Sequence, residues 1–164
     1  MEYAVVEPDV EEIWEGRAEE IVLENARRKA RAGLAGEDPG AVVLGADTEV
    51  VLEGAVLGQP ADAIRARASL EALSGRTHDV LTGVVLASRA DERSGVARSH
   101  VTFRELDAPT LDLYLNSSEW RGRAGAYAIQ GLGSILIERL EGDFSNVVGL
   151  PVPLLIELAP EIFQ

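Results

Sequence analysis

The chain is 164 residues long, 46% hydrophobic and free of cysteine, which suits one domain over 1–164 and excludes disulfides and thiolate metal sites. Its formal net charge of −13 excludes nucleic-acid polymers and anionic membrane surfaces as ready partners, since both need a positive footprint. A small phosphorylated ligand stays compatible, because it needs only a few local cations and a carboxylate-held divalent metal. No basic segment leads into an apolar stretch at the N-terminus, and no apolar run approaches membrane-spanning length, so the expectation is a cytoplasmic protein with no membrane partner.

In chain order, Ala18 to Leu34 is rich in Ala, Glu, Arg and Leu with apolar residues at helical spacing, and predicts a helix that sets Lys29 one turn beyond Asn25, on or beside the inward face. Ala41 to Leu52 reads as a buried strand, followed by a Glu53-Gly54 turn and a short return, Ala55 to Leu57. A helix from about Ala61 to Leu73 ends at Ser74-Gly75, where glycine suits the left-handed helix terminus. Two further strands, Thr77 to Ser88 and Gly95 to Leu106, flank a charged loop, Arg89 to Ser94, and are expected to pair antiparallel. Pro109 opens a helix to Ser117; a glycine-rich loop, Gly122 to Gly133, precedes a strand, Ser134 to Glu138; and Val152 to Leu158 closes the chain as a helix. Hairpins and helical crossovers together predict an α/β fold with a mixed sheet flanked by helices.

Several residues invite chemistry. Asp47 is an ionisable side chain in an otherwise apolar strand, a costly placement unless it is paired or works; it is the leading catalytic candidate, as metal ligand or proton acceptor, against the alternative of an aspartate capping a turn. Lys29 is the only lysine in a chain whose other strong cations are all arginine. It is either kept for a site that needs a compact point charge or a survivor of arginine bias. The acidic run Asp9 to Glu12 offers a metal-facing oxygen or a solvated helix approach. Arg76, in Ser74-Gly75-Arg76-Thr77-His78, grips a phosphate or pairs with a surface carboxylate. Walker-type loops, serine elbows and catalytic cysteines are absent, and the two histidines, His78 and His100, are far apart.

Taken in order and spacing, Ala26-Arg27-Arg28-Lys29-Ala30, Leu44-Gly45-Ala46-Asp47-Thr48, Leu57-Gly58-Gln59-Pro60, Leu73 to His78, Ala124-Gly125-Ala126-Tyr127-Ala128-Ile129-Gln130-Gly131 and Gly142 to Pro151 resemble the Maf family over nearly the whole chain. The resemblance implies the elongated α/β fold of the Maf and inosine-triphosphatase group. It also implies a cytoplasmic, dimeric enzyme that uses a divalent cation, Mg²⁺ or Mn²⁺, to hydrolyse a nucleoside triphosphate between its α and β phosphates, and an association with septum formation. By it, Asp47 matches the catalytic aspartate, Glu12 a metal-facing acid, Lys29 a phosphate-binding lysine, and Thr48 and Gln130 positions tied to substrate choice in a branch that looks like dTTP and UTP pyrophosphatases.

Two departures stand out. The family's opening Ser-x-Ser-Pro-Arg-Arg phosphate loop has no counterpart, and Met1 falls where the family's next strand begins, so an N-terminally truncated form is expected, with a non-catalytic nucleotide-binding or division-regulating relative as the alternative. Gln59, a substrate-binding position by the resemblance, stands where the family often has lysine, and Arg123 similarly replaces a lysine before Ala124-Gly125.

Overall fold

The structure is a computed structural model and describes residues 3–6, 8–35, 37–38 and 40–163. It contains one five-stranded sheet, order β2-β1-β3-β4-β5, built from β1 (Val43–Leu52), β2 (Ala55–Leu57), β3 (Thr77–Ala87), β4 (Glu92–Phe103) and β5 (Ile137–Glu141). Helix α1 (Ala18–Leu34) covers one face. Helices α2 (Ala63–Leu73), α3 (Ala108–Ser117), α4 (Phe144–Val148) and α5 (Val152–Leu158) serve the other. Residues 3–6 carry no strand, and Met1 lies outside the described residues.

The α/β class and the flanking helices follow the expectation; the mixed sheet does not. Every described ladder is antiparallel. The helical crossover exists, carrying the chain from β2 through α2 to β3, and these two strands run the same way. Strand β1 lies between them, however, and opposes both, so the crossover produces no parallel ladder.

Element bounds shift where side chains make long-range contacts. Helix α2 starts later than expected because the Asp62 carboxylate accepts from Arg65 N at 2.8 Å and caps the first turn. Strand β4 starts earlier, at Glu92, inside the segment expected to be a charged loop. There Arg27 of α1 donates to Glu92 at 2.7 Å and Arg93 donates to Leu158 O at 2.7 Å, so these charged residues tie the strand to helices on both faces. The expected strand at Ser134 to Glu138 becomes a 3₁₀ turn, Gly131–Leu136, leading into β5.

Alternation along β1 and β3 divides the core. Val50, Leu52 and Val80 join Val101 and Phe103 beneath Leu70, Leu73, Leu111, Tyr114 and Tyr127. Val51 and Leu81 meet Val22, and Val85 and Ala87 meet Ala26 and Ala30, on the α1 side. On that side the helix approaches unusually closely. A Cβ at Gly45 would lie 2.2 Å from Ala26 O, and one at Gly83 would lie 2.4 Å from Val22 O. The two glycines therefore let helix backbone rest on strand backbone, which brings the short side chains of α1 within reach of β1.

Candidate functional site

Close docking of α1 on β1 makes the site. Asp47, 7% exposed, points to the α1 face. Lys29 Nζ donates to Asp47 Oδ1 at 2.5 Å and pairs with Glu12 at 2.7 Å. Asn25, one turn earlier on the helix and fully buried, donates from Nδ2 to Asp47 Oδ2 at 3.3 Å and to Ile13 O at 3.2 Å, while its Oδ1 accepts from Ile13 N at 2.8 Å. One amide thus fixes the aspartate and the irregular segment that carries Glu12.

Removal from water dominates the electrostatics. Burial raises the Asp47 carboxyl above its ordinary range; the hydrogen bond and charge of Lys29 act against this, and the Glu12 charge adds to it. Burial pulls the Lys29 ammonium down, but its bonds to Asp47 and Glu12 together outweigh that and leave it raised, firmly cationic. Two residues along the same strand face lies Glu49, 3% exposed, with Oε2 left without a hydrogen-bond partner among the described residues. Burial first, then the charges of Asp47 and Glu12, push its carboxyl up to about 8.

A cleft of about 240 Å³ opens beside this cluster, lined by Lys29, Asp47, Thr48, Gln59, Arg123 and Gln130, with the Val147–Gly149 segment as a wall. Because β2 covers only Val50–Leu52, the edge of β1 beside Asp47 and Thr48 is free of β2, and residues from both strand faces reach the cleft. Thr48 Oγ1 sits 2.9 Å from Thr82 Oγ1, and Thr82 donates its one hydroxyl proton to Asn146 O at 3.1 Å. Thr48 must therefore be the donor to Thr82, and it offers the cleft lone pairs rather than a proton. Asn146, fully buried, donates to Val80 O and Ser99 Oγ and so locks α4, and with it the cleft wall, onto β3 and β4.

The structure therefore brings together Lys29, Asp47, Thr48, Gln59 and Gln130, with Glu12 on the far side of Lys29 in an adjoining depression shared with Trp14, Gly58 and Gln59. It does not bring Arg76 there. That guanidinium pairs with Glu53 at the β1–β2 turn and reaches Ala72 O at the end of α2, the surface pairing that the sequence left open. Two contributors are not marked as such by the sequence: Asn25, whose spacing gives only a helical face position, and Arg123, which stands only as a replaced lysine although it lines the cleft.

Residues 1–162 match the Maf-like protein family. The chain is similar to a dTTP/UTP pyrophosphatase of Deinococcus radiodurans, 46% identical over 94% of this chain and 78% of that protein. It is also similar to ones of Myxococcus xanthus, 53% identical over 82% and 68%, and Pyrococcus horikoshii, 43% identical over 83% and 73%. With the family matched over residues 1–162 and relatives 43–53% identical over most of their length, the chain belongs to the Maf family.

Proposed function

We propose that this protein is a nucleoside-triphosphate pyrophosphatase that breaks the α–β phosphoanhydride of dTTP and UTP, giving the monophosphate and pyrophosphate with the help of Mg²⁺ or Mn²⁺. The observation that carries the reading is the buried Asp47, held at both oxygens by Lys29 and Asn25 at the mouth of a cleft whose other polar groups are neutral or cationic. Its pyrophosphatase relatives in three organisms support the same reading.

Each residue has a task in that reaction. Water adds to phosphorus, one of its protons passes to the Asp47 carboxylate, and the anhydride oxygen leaves with the pyrophosphate. A positioned carboxylate of this kind contributes about 10²–10⁴-fold. Lys29 and Arg123 line the cleft as its cations and hold phosphate oxygens. The lone pairs of Thr48 and the amides of Gln59 and Gln130 face the base, where an acceptor at Thr48 suits the N–H of a thymine or uracil ring.

The acids here supply only oxygen donors, and among the described residues no group of three or more His, Cys, Asp and Glu could hold a metal alone. That donor set fits a hard cation held by one or two carboxylates and the substrate's phosphates. When bound, such a cation neutralises charge on the phosphates. No described helix is long and apolar enough to cross a membrane, in keeping with a cytoplasmic enzyme. The exposed apolar side chains of Phe144, Val148, Leu150, Val152 and Ile156 support a homodimer, which sedimentation will test.

The deciding experiment incubates the protein with Mg²⁺ and dTTP, UTP, CTP or GTP and assays pyrophosphate and orthophosphate separately, beside Asp47→Asn. Pyrophosphate from dTTP and UTP that disappears in the variant is expected; orthophosphate, or no release, overturns the reading.

A further inference from the structure

Behind Thr48 a line of oxygen atoms runs from the cleft into the core. Thr82, fully buried on β3 and directly opposite Thr48 in the β1–β3 register, does not line the cleft itself. Its Oγ1 lies 2.9 Å from Thr48 Oγ1 on one side and 3.1 Å from Asn146 O on the other. An oxygen–oxygen contact this short needs a proton between its atoms, and here only the hydroxyls supply them. Asn146 O is a carbonyl that only accepts, and it already takes the Gly149 N–H at 3.0 Å. The Thr82 proton therefore points to Asn146 O and the Thr48 proton to Thr82, so the order of donation is fixed from the buried end of the line.

We infer that Thr82 determines base specificity: held to Asn146 O, it keeps the Thr48 proton out of the cleft, so that the site takes uracil or thymine and refuses cytosine. The rings differ at N3, which carries a proton in uracil and thymine and a lone pair in cytosine. A hydroxyl with a free rotor serves either, accepting from the first or donating to the second. Thr48 by itself is thus no discriminator. With its proton committed to Thr82 it only accepts, and cytosine N3 then meets lone pair against lone pair, with both groups left unpaired. The commitment holds because turning the Thr82 hydroxyl round would set two bare oxygens face to face in a buried place. Thr82 touches no substrate and acts through Thr48, as a positioning residue.

The inference rests on the proposed seating of the base against Thr48, so its test measures binding apart from turnover. Calorimetry in Mg²⁺ compares the α,β-methylene analogues of UTP and CTP, neither of which is split at the α–β link. Thr82→Val and Thr82→Ala remove the hydroxyl; Asn146 O keeps its bond from Gly149 N, and Thr48 regains a free proton. The ratio of UTP-analogue to CTP-analogue affinity should fall by about tenfold in both variants, with the CTP analogue bound more tightly, and Thr82→Ser should keep the natural ratio. A side chain that only braced the fold would, once removed, weaken both analogues together and leave the ratio alone. Thr48→Val should also lower the ratio, and adding Thr82→Val to it should change nothing further, as residues acting in series require.

A ratio that moves by less than about threefold in Thr82→Val and Thr82→Ala overturns the inference, as does a natural chain that binds the two analogues alike or binds neither. Pyrophosphate release from UTP on the same samples separates the two readings. If UTP goes unhydrolysed while the ratio still falls, the hydroxyl line stands and the reaction falls; if UTP is hydrolysed and the ratio ignores Thr82, the reaction stands and the hydroxyl line falls.

Discussion

The two faces of the sheet differ in what they bury. Beneath α2 and α3, β1 and β3 contribute Val50, Leu52 and Val80 to a large apolar cluster, and the imidazole there, His78, is kept uncharged by burial and bonded through Nε2 to Tyr127 OH at 2.8 Å. Beneath α1 the same two strands contribute Asp47, Glu49 and two glycines, and the helix answers with Asn25, Lys29 and small alanines. One face spends its volume on hydrocarbon and stabilises the fold; the other gives up hydrocarbon to seat charge close to backbone, and its polar groups bear the cost. Stability and chemistry are thus divided between alternate residues of a single strand.

Substitutions should separate the faces in order of effect. Asp47→Asn should lower pyrophosphate release by about 10²–10⁴-fold while the thermal midpoint changes little, since Lys29 keeps Glu12. Phe103→Ala, on the apolar face, should do the reverse, costing about 3–5 kcal/mol in denaturant unfolding with the turnover of the remaining folded enzyme unchanged. Gly83→Ala breaks the division: by pushing α1 off the sheet it should cost about 1–3 kcal/mol and also reduce turnover, because Asn25 and Lys29 withdraw from Asp47.

Titration sharpens the contrast, because the two faces fail at opposite ends of the pH scale. Burial lowers the His78 pKa to about 4 from 6.5. The unfolded chain therefore takes up that proton first as pH falls, and stability drains away between about 6.5 and 4. Glu49 is raised to about 8 from 4.5, so the unfolded chain ionises first, and stability drains away as pH rises from about 4.5 to 8. Thermal midpoints across this range should show His78→Gln flattening the acid limb and Glu49→Gln flattening the alkaline one. A smaller effect is expected from Thr48→Val. It deletes the acceptor facing the cleft and the bond to Thr82, and should raise the KM for dTTP by less than tenfold, the worth of about 1 kcal/mol.

Much of this was legible in the sequence. Helices α1 and α5 and strand β2 have the bounds that periodicity and turn residues predict. Asp47 and Lys29 stood out by residue type alone, one as an acid in an apolar strand and the other as a solitary lysine. What escaped depends on contacts distant in sequence. The Glu119 carboxylate accepts from Leu132 N and Gly133 N at 3.2 Å each and bends into a 3₁₀ turn an apolar run that alone reads as strand. Helix α4, only five residues long, is fixed by its Asp143 cap and by Asn146 bridging two strands. Glu49 looked ordinary because alternation marks which residues share a face without telling which face is dry.

The amide of Asn25 has one more consequence. It holds Ile13 N at 2.8 Å although Ile13 lies in neither helix nor strand. That backbone proton should therefore exchange with solvent far more slowly than its irregular surroundings suggest, at a rate set by how often α1, β1 and the Glu12 segment come apart together. A single slowly exchanging amide, followed by nuclear magnetic resonance with the enzyme at rest, would act as a clock for the opening of the whole site.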